Sequence, residues 1–173
     1  MYLNGTRYYA IEYSASANNQ EIIIPWPEKK RVLDIASDAG FGNCSTTRRS
    51  SEGYLFKLFG SPIDWSSTKQ KTVSTSTTGA ELLALSHAAT EALWWNRLFE
   101  DLRFDLGHEI TIYCDNQQTI RLLFKDLPTL MTKLKHVDIR RHWLREQVAD
   151  EKIKVTWIPT SQMPTDGLTK ALP

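Results

Sequence analysis

The sequence predicts an α/β domain, one mixed β-sheet covered by helices. Three observations lead there. The first β-like runs follow one another across short turns, as antiparallel strands do. The later β-like runs are each reached through a helical segment, the connection that parallel neighbours require. The chain has 173 residues and 41% hydrophobic content, which suits a single core rather than two.

Residues 1–30 read as an annex to the main body. Tyr8 to Tyr13 is strand-like, Ser14 to Gln20 is a small polar loop, and Glu21 to Ile24 is a β-like run stopped by Pro25-Trp-Pro27. Val32 to Ser37 is the first strand of the body. Asp38 to Ser51, with Gly40, Gly42 and Asn43, reads as a turn-rich connection. Gly53 to Phe59 alternates and gives the second strand, and a Gly60-Ser-Pro turn leads into a third at Pro62 to Ser66. Thr78-x-x-Glu81 fits a capping box that opens a long helix. Along that helix Leu85, Ala88, Ala92, Trp95, Phe99 and Leu102 recur at spacings of three and four, forming one apolar stripe with Gly107 as the stop signal. Ile110 to Cys114 is a β-branched strand. Gln117 to Lys125 is a short helix closed by Pro128. Met131 to Ala149 is a second long helix with Leu134, Val137, Leu144 and Val148 inward. Ile153 to Ile158 is the last strand, Pro159 ends it, and Pro164-Thr-Asp-Gly-Leu-Thr-Lys opens a terminal helix.

Asp38, Glu81, Asp115 and Asp166 each sit where a predicted strand or helix begins or ends. Carboxylates remote in sequence but sharing such ends can meet in space. A bare cluster of them repels itself unless cations fill it, which makes the four a candidate site for Mg²⁺ or Mn²⁺. Singly, each has a plainer reading. Glu81 is explained by helix capping, Asp115-Asn116 by an N-cap for the next helix, Asp166 by a favourable charge at a helix start, and Asp38 by a turn. Asp34 lies in the same strand region and reads as a solvent-side or N-terminal contact.

The formal net charge of +1 does not by itself call for a polyanion partner. The stretch from Lys133 to Arg145 does carry a local basic face, however: Lys133, Lys135, Arg140, Arg141 and Arg145, with His136 and His142, against the single acid Asp138. The two cysteines, Cys44 and Cys114, read as free thiols of a reducing, intracellular compartment, Cys114 as a small apolar group in a buried strand. No apolar run is long enough to span a bilayer, and the N-terminus has no secretory pattern. Trp94, Trp95, Trp143 and Trp157 read as core or core-edge residues, and His87 as structural.

Asp38-Ala-Gly-Phe-Gly-Asn, running into Arg48-Arg-Ser-Ser-Glu-Gly-Tyr, resembles the ribonuclease H domain of copia-type LTR retrotransposon polyproteins. The likeness continues through Ile63-Asp-Trp-Ser-Ser-Thr-Lys-Gln, Ser76-Thr-Thr-Gly-Ala-Glu81-Leu-Leu-Ala-Leu and Glu91-Ala-Leu-Trp. It goes on through Tyr113-Cys-Asp115-Asn-Gln and Lys135-His-Val-Asp-Ile-Arg, and ends at Ile158-Pro-Thr-Ser-Gln-Met-Pro-Thr-Asp166-Gly-Leu-Thr-Lys. It covers nearly everything after residue 31. The N-terminal Tyr2-Leu-Asn-Gly-Thr resembles the end of the reverse transcriptase region of the same polyproteins, which makes residues 1–30 a tether from that side and 31–173 the ribonuclease H domain.

The resemblance implies a five-stranded mixed sheet with helices on both faces. It also implies an Asp-Glu-Asp-Asp set that binds two divalent cations, Mg²⁺ or Mn²⁺, and falls on Asp38, Glu81, Asp115 and Asp166. Asp38 would bridge the two ions, Asp166 would complete the nucleophile side, and Glu81 and Asp115 the leaving-group side. The implied reaction is endonucleolytic hydrolysis of the RNA strand of an RNA–DNA hybrid, leaving 5′-phosphate and 3′-hydroxyl ends. Ser74, Ser76, Asn116 and Gln117 flank the acids and are expected to hydrogen-bond the RNA 2′-hydroxyls. Trp65, Lys69 and Lys71 are expected against the DNA strand, and Lys133, Lys135, Arg140 and Arg141 against the hybrid or the polyprotein. The expected partners are the hybrid and the reverse transcriptase region, with no membrane and a monomeric isolated domain. Two departures stand out. Gly40 replaces an acid the family often has two residues after the first Asp, and Pro159 to Thr165 lacks the His of cellular ribonucleases H, for which His142 is the nearest substitute. Two other readings are an integrase-type core, which lacks the Asp166 block, and a domesticated or inactive copy that only binds nucleic acid or protein.

Overall fold

The structure is a computed structural model in which residues 32–107, 109–124 and 135–170 are described. The tether expected at residues 1–30, with its two β-like runs, lies outside them, as do Lys133, Leu134 and Pro128. Lys135 is described in its backbone alone.

Three strands come first. Leu33–Gly40 (β1), Ser51–Leu58 (β2) and Ser61–Lys69 (β3) pair antiparallel in sequence order. β2 and β3 are joined through Phe59 and Gly60 alone, with φ of 52° and 87°. Two positive φ values in a two-residue loop make a type I′ turn, whose twist matches that of the strands it joins. The helix Thr77–Asp101 (α1) then crosses to Thr111–Cys114 (β4), which lies parallel to β1. The helices Gln117–Phe124 (α2) and Lys135–Ala149 (α3) precede Lys154–Trp157 (β5), parallel to β4. A 3₁₀ turn at Thr160–Gln162 leads to the short helix Asp166–Thr169 (α4). The sheet order is β3-β2-β1-β4-β5, the mixed five-stranded arrangement expected.

Alternation along β1 divides the core. Leu33 and Ile35 face α1 and join Phe56, Leu82, Leu85, Ala88, Ile112 and Leu144 in the main cluster. Ala36 faces the other way and meets Tyr113, Ile158 and Met163 beneath the C-terminal segment. Helices therefore cover both faces. Alanines at 80, 84, 88, 89 and 92 bring α1 close to the sheet. On the opposite face, Gly53 gives α4 its seat: a Cβ there would lie 3.0 Å from Leu168 Cβ and 3.1 Å from Thr169 Cγ2.

Several local expectations are corrected. β1 runs on to Gly40, so Asp38 lies within the strand and pairs with Gly53. The glycines at 40 and 42 suggest an earlier turn than the ladder allows. The N-cap of α1 is Ser76, whose Oγ accepts from Gly79 N at 3.0 Å. Thr78 is already helical, and with Gly79 three residues after Ser76 the cap is a single side-chain bond in place of the predicted capping box. α1 ends at Asp101, before Gly107, because Arg103 takes the left-handed conformation at φ 54° and turns the chain. Leu102 at 65% exposed therefore leaves the apolar stripe. Trp94 and Trp157 are exposed rather than core, while Trp95 and Trp143 pack against the core edge. Asp34 is buried opposite Lys57 in the β1–β2 ladder, not turned to solvent.

Candidate active site

Parallel pairing sets the two central acids side by side. Ala36 of β1 pairs with Tyr113 of β4, so Asp38 and Asp115, each two residues further on, emerge level at the C-terminal ends of both strands. That edge is where parallel α/β sheets bind ligands. α1 adds Glu81 from one face of the sheet, and α4 adds Asp166 from the other.

Asp38, Asp115 and Asp166 each offer a carboxylate oxygen within 4.8 Å of the others. Asp115 also belongs to a second group on the same scale, with Glu81 and Cys114. The four acids that the sequence singles out thus lie around one point.

Polar neighbours fix them. Thr169 Oγ1 donates to Asp38 Oδ2. Thr160 Oγ1 donates to Asp115 Oδ2 at 2.8 Å, and the Trp157 indole donates to the Asp115 carbonyl at 3.0 Å. Lys170 Nζ lies 2.7 Å from Asp166 Oδ1. The Ala39 backbone N–H donates to the Glu81 carboxylate, while Glu81 Oε2 has no partner among the described residues.

Burial and mutual repulsion govern the charges. Burial, followed by the Asp38 and Asp115 charges, pushes Glu81 up to about 9. Burial also raises Asp38, with Asp115 and Asp166 adding to it and the Thr169 hydroxyl opposing. Burial pushes the Cys114 thiol up. Burial pulls Lys170 down, but the Asp166 carboxylate outweighs it and holds the ammonium above its ordinary value. A buried cluster of this kind needs protons or a cation to balance it. The all-oxygen donor set of Asp38, Asp115 and Asp166 fits a hard divalent ion such as Mg²⁺ or Mn²⁺.

The expected nucleic-acid contacts divide by surface. Lys69, Lys71, Trp65, Gln117 and Arg140 are exposed. Ser76 is exposed but committed as the α1 cap. Asn116 Oδ1 accepts from Thr119 N at 3.0 Å and so caps α2. Ser74 is buried and donates to Gln70 Oε1 at 2.9 Å, so it serves the loop ahead of α1 instead of facing a ligand. Arg141 is 5% exposed and turns into the packing of α3.

Sequence reasoning missed Thr160, Thr169 and Lys170 as the groups that hold the acids. Thr169 and Lys170 lie three and four residues after Asp166, a helical spacing that places them beside it. Only the fold reveals that Thr169 reaches Asp38. Gly40 also acquires a reason. A Cβ there would come within 2.5 Å of the Thr169 carbonyl and 2.6 Å of Asn43 Nδ2, so an acid at that position would displace the C-terminal segment.

No family model matches the chain. It is 40% identical over 142 residues to the retrovirus-related Pol polyprotein from transposon TNT 1-94 of Nicotiana tabacum, covering 82% of this chain and 10% of that protein. It is 34% identical over 164 residues to the corresponding polyprotein from transposon RE1 of Arabidopsis thaliana, covering 94% and 11%. The chain thus spans about a tenth of the length of these curated relatives. Among solved structures it is similar to LC11-RNase H1, isolated from compost by a metagenomic approach (TM-score 0.58, 16% identity, 80% of this chain and 92% of that one). It is also similar to the N-terminal RNase H domain of a Mycobacterium tuberculosis protein (TM-score 0.55, 13% identity, 79% and 89%). A third is a foamy viral protease-reverse transcriptase in complex with an RNA/DNA hybrid (TM-score 0.52, 11% identity, 87% and 20%). At these identities the structural likeness is one of fold.

Proposed function

We propose, from the premise that this chain belongs to the ribonuclease H domains of copia-type LTR retrotransposon Pol polyproteins, that it hydrolyses the RNA strand of RNA–DNA hybrids. The observation that carries the reading is the convergence of Asp38, Asp115 and Asp166 within 4.8 Å, with Glu81 joined through Asp115, on the ribonuclease H fold. That solved neighbour holding an RNA/DNA hybrid supports the substrate class.

In this reading Asp38, Glu81, Asp115 and Asp166 hold two divalent cations, Mg²⁺ or Mn²⁺. When bound, such ions polarise the scissile phosphate, activate the attacking water and stabilise the leaving 3′ oxygen. The chain's own residues set the geometry. Asp38 is fixed by Thr169, and Asp115 is common to both donor groups. Asp115 is held at the β4 edge by Thr160 and accepts no other side-chain hydrogen bond among those described. Glu81 approaches from the α1 face and meets the group at Asp115. Lys170 covers Asp166 from the solvent side and neutralises part of the charge. Products carry 5′-phosphate and 3′-hydroxyl ends. Exposed Trp65, Lys69 and Lys71 on and after β3 and Arg140 on α3 are the basic and aromatic surface for the hybrid. In the polyprotein, the reverse transcriptase region is the proposed neighbour. Among the described residues, no helix is long and apolar enough to cross a membrane.

The test is a strand-labelled RNA–DNA hybrid incubated with the purified chain, with and without Mn²⁺. Metal-dependent cuts in the RNA strand alone are expected, abolished in Asp115→Asn. Equal cutting of duplex DNA, or cutting that survives the substitution, would overturn the assignment. Hybrid binding without cleavage at any cation concentration would point to the inactive-copy reading.

A further inference from the structure

Beside the all-oxygen group lies one of mixed character. Cys114 Sγ, a Glu81 carboxylate oxygen and an Asp115 carboxylate oxygen lie within 4.8 Å of one another. Two of these groups have poor partners. Glu81 is 7% exposed and its Oε2 has no hydrogen-bond partner among the described residues. Cys114 is fully buried, and its Sγ reaches the Asn116 carbonyl only at 4.0 Å, the outer limit for a sulfur hydrogen bond. A buried carboxylate oxygen left without a donor is costly and calls for a partner.

We infer that Glu81, Cys114 and Asp115 form a binding site for a thiophilic divalent cation of the Zn²⁺ or Cd²⁺ class. Sulfur is what sets it apart. Mg²⁺ takes oxygen and keeps waters, whereas a thiolate with one or two carboxylates suits zinc and its heavier congener. Three donor atoms within 4.8 Å of one another lie on the scale of a shared ion, whose bonds to them would be roughly 2.0–2.3 Å. On binding, the S–H bond of Cys114 breaks and a sulfur–metal bond forms. The thiol proton, and any proton on Glu81, passes to the buffer, and no electrons change owner.

The neighbouring group shares Asp115. A soft cation lodged against Cys114 therefore takes Glu81 and Asp115 from the site proposed for Mg²⁺, and the two kinds of ion are antagonists in this chain. The site uses carboxylates of the proposed hydrolase centre but does not depend on hydrolysis, so the two can be tested apart.

The experiment titrates the metal-free full chain with Cd²⁺ and follows the ultraviolet thiolate-to-cadmium absorption. Cys44 supplies the control thiol, since its polar neighbours are Thr46, Thr47 and Lys69. The absorption is expected in the wild type and in Cys44→Ser, and is expected to be absent from Cys114→Ala. In Glu81→Gln it should need about 10-fold more cadmium. Absorption that persists in Cys114→Ala, disappears in Cys44→Ser, or never arises in the wild type overturns the site. Should Cys114→Ala fail to fold by circular dichroism, Glu81→Gln decides, because unchanged cadmium affinity there also overturns it. A chain that captures cadmium but leaves the hybrid uncut overturns the hydrolase reading alone. A chain that cuts the hybrid but shows no cadmium absorption overturns this inference alone.

Discussion

Thr169 is the residue through which the first strand and the last helix share one charge. Its hydroxyl donates to Asp38, opposing the burial that raises that carboxyl. Removing the hydroxyl leaves Asp38 harder to ionise, and outer partners of this kind are worth roughly 10–100-fold in metal affinity. Thr169→Val is therefore expected to weaken Mn²⁺ binding about 10-fold by calorimetry without nucleic acid, with Thr169→Ser restoring it. Lys170 acts in the opposite sense. Its ammonium sits 2.7 Å from Asp166 and competes with any cation for that carboxylate. Lys170→Met should tighten Mn²⁺ binding by up to about fivefold at low salt, a gain that vanishes as salt screens the half-exposed pair. Weaker binding in Lys170→Met would mean the lysine positions Asp166 instead of competing for it.

At the scale of elements, the cap of α1 separates sequence pattern from structure. Ser76 holds the Gly79 N–H, whereas Thr78 lies within the helix. Ser76→Ala should cost about 1 kcal/mol in chemical denaturation, and Thr78→Ala should stay within about 0.5 kcal/mol. The reverse order would restore the predicted capping box. The β2–β3 turn gives a second test: Gly60 at φ 87° has open space around it but a conformation that side chains resist. Gly60→Ala should lose roughly 1–2 kcal/mol. Elements with strong period or punctuation were legible in the sequence: the antiparallel β1–β3 run, the long α1, and β4 and β5 joined through helices. Element ends were less so. The glycines at 40 and 42 resemble a turn, yet ladder pairing with β2 carries β1 past Asp38. The four acids could be picked out because they lie near element ends, and a family pattern tied them together. Thr160 and Thr169 could not, because hydroxyls at loop and helix positions carry no periodic signal and their acceptors lie 45 and 131 residues away. The burial of Ser74 and Arg141 was equally hidden, since each lies in a stretch whose composition reads as exposed.

For the whole molecule, the acid cluster ties folding to pH. Glu81 stands at about 9 in the folded chain against an ordinary 4.5, chiefly through burial. As pH rises through that window the unfolded chain loses this proton first, so the native state binds more protons. Stability from this group is thus complete below 4.5 and is lost as pH climbs toward about 9. A divalent cation replaces the proton and binds only the folded arrangement, so its stabilisation should grow over the same window. Melting temperatures in chelator should fall with rising pH, and the Mn²⁺-induced rise should widen. A gap that stays constant across pH would remove Glu81 from the linkage. The seat of α4 has a consequence of its own. Its four residues lie over glycine-lined strands and are clipped on by Asn43 Nδ2 to the Thr169 carbonyl at 2.8 Å and Ser67 Oγ to the Leu168 carbonyl at 2.5 Å. Such a latch works like a fuse. On warming it should lift before the strands part, carrying Asp166 away from Asp38 and Asp115 while the sheet still stands, so that heat switches the molecule off several degrees before melting it.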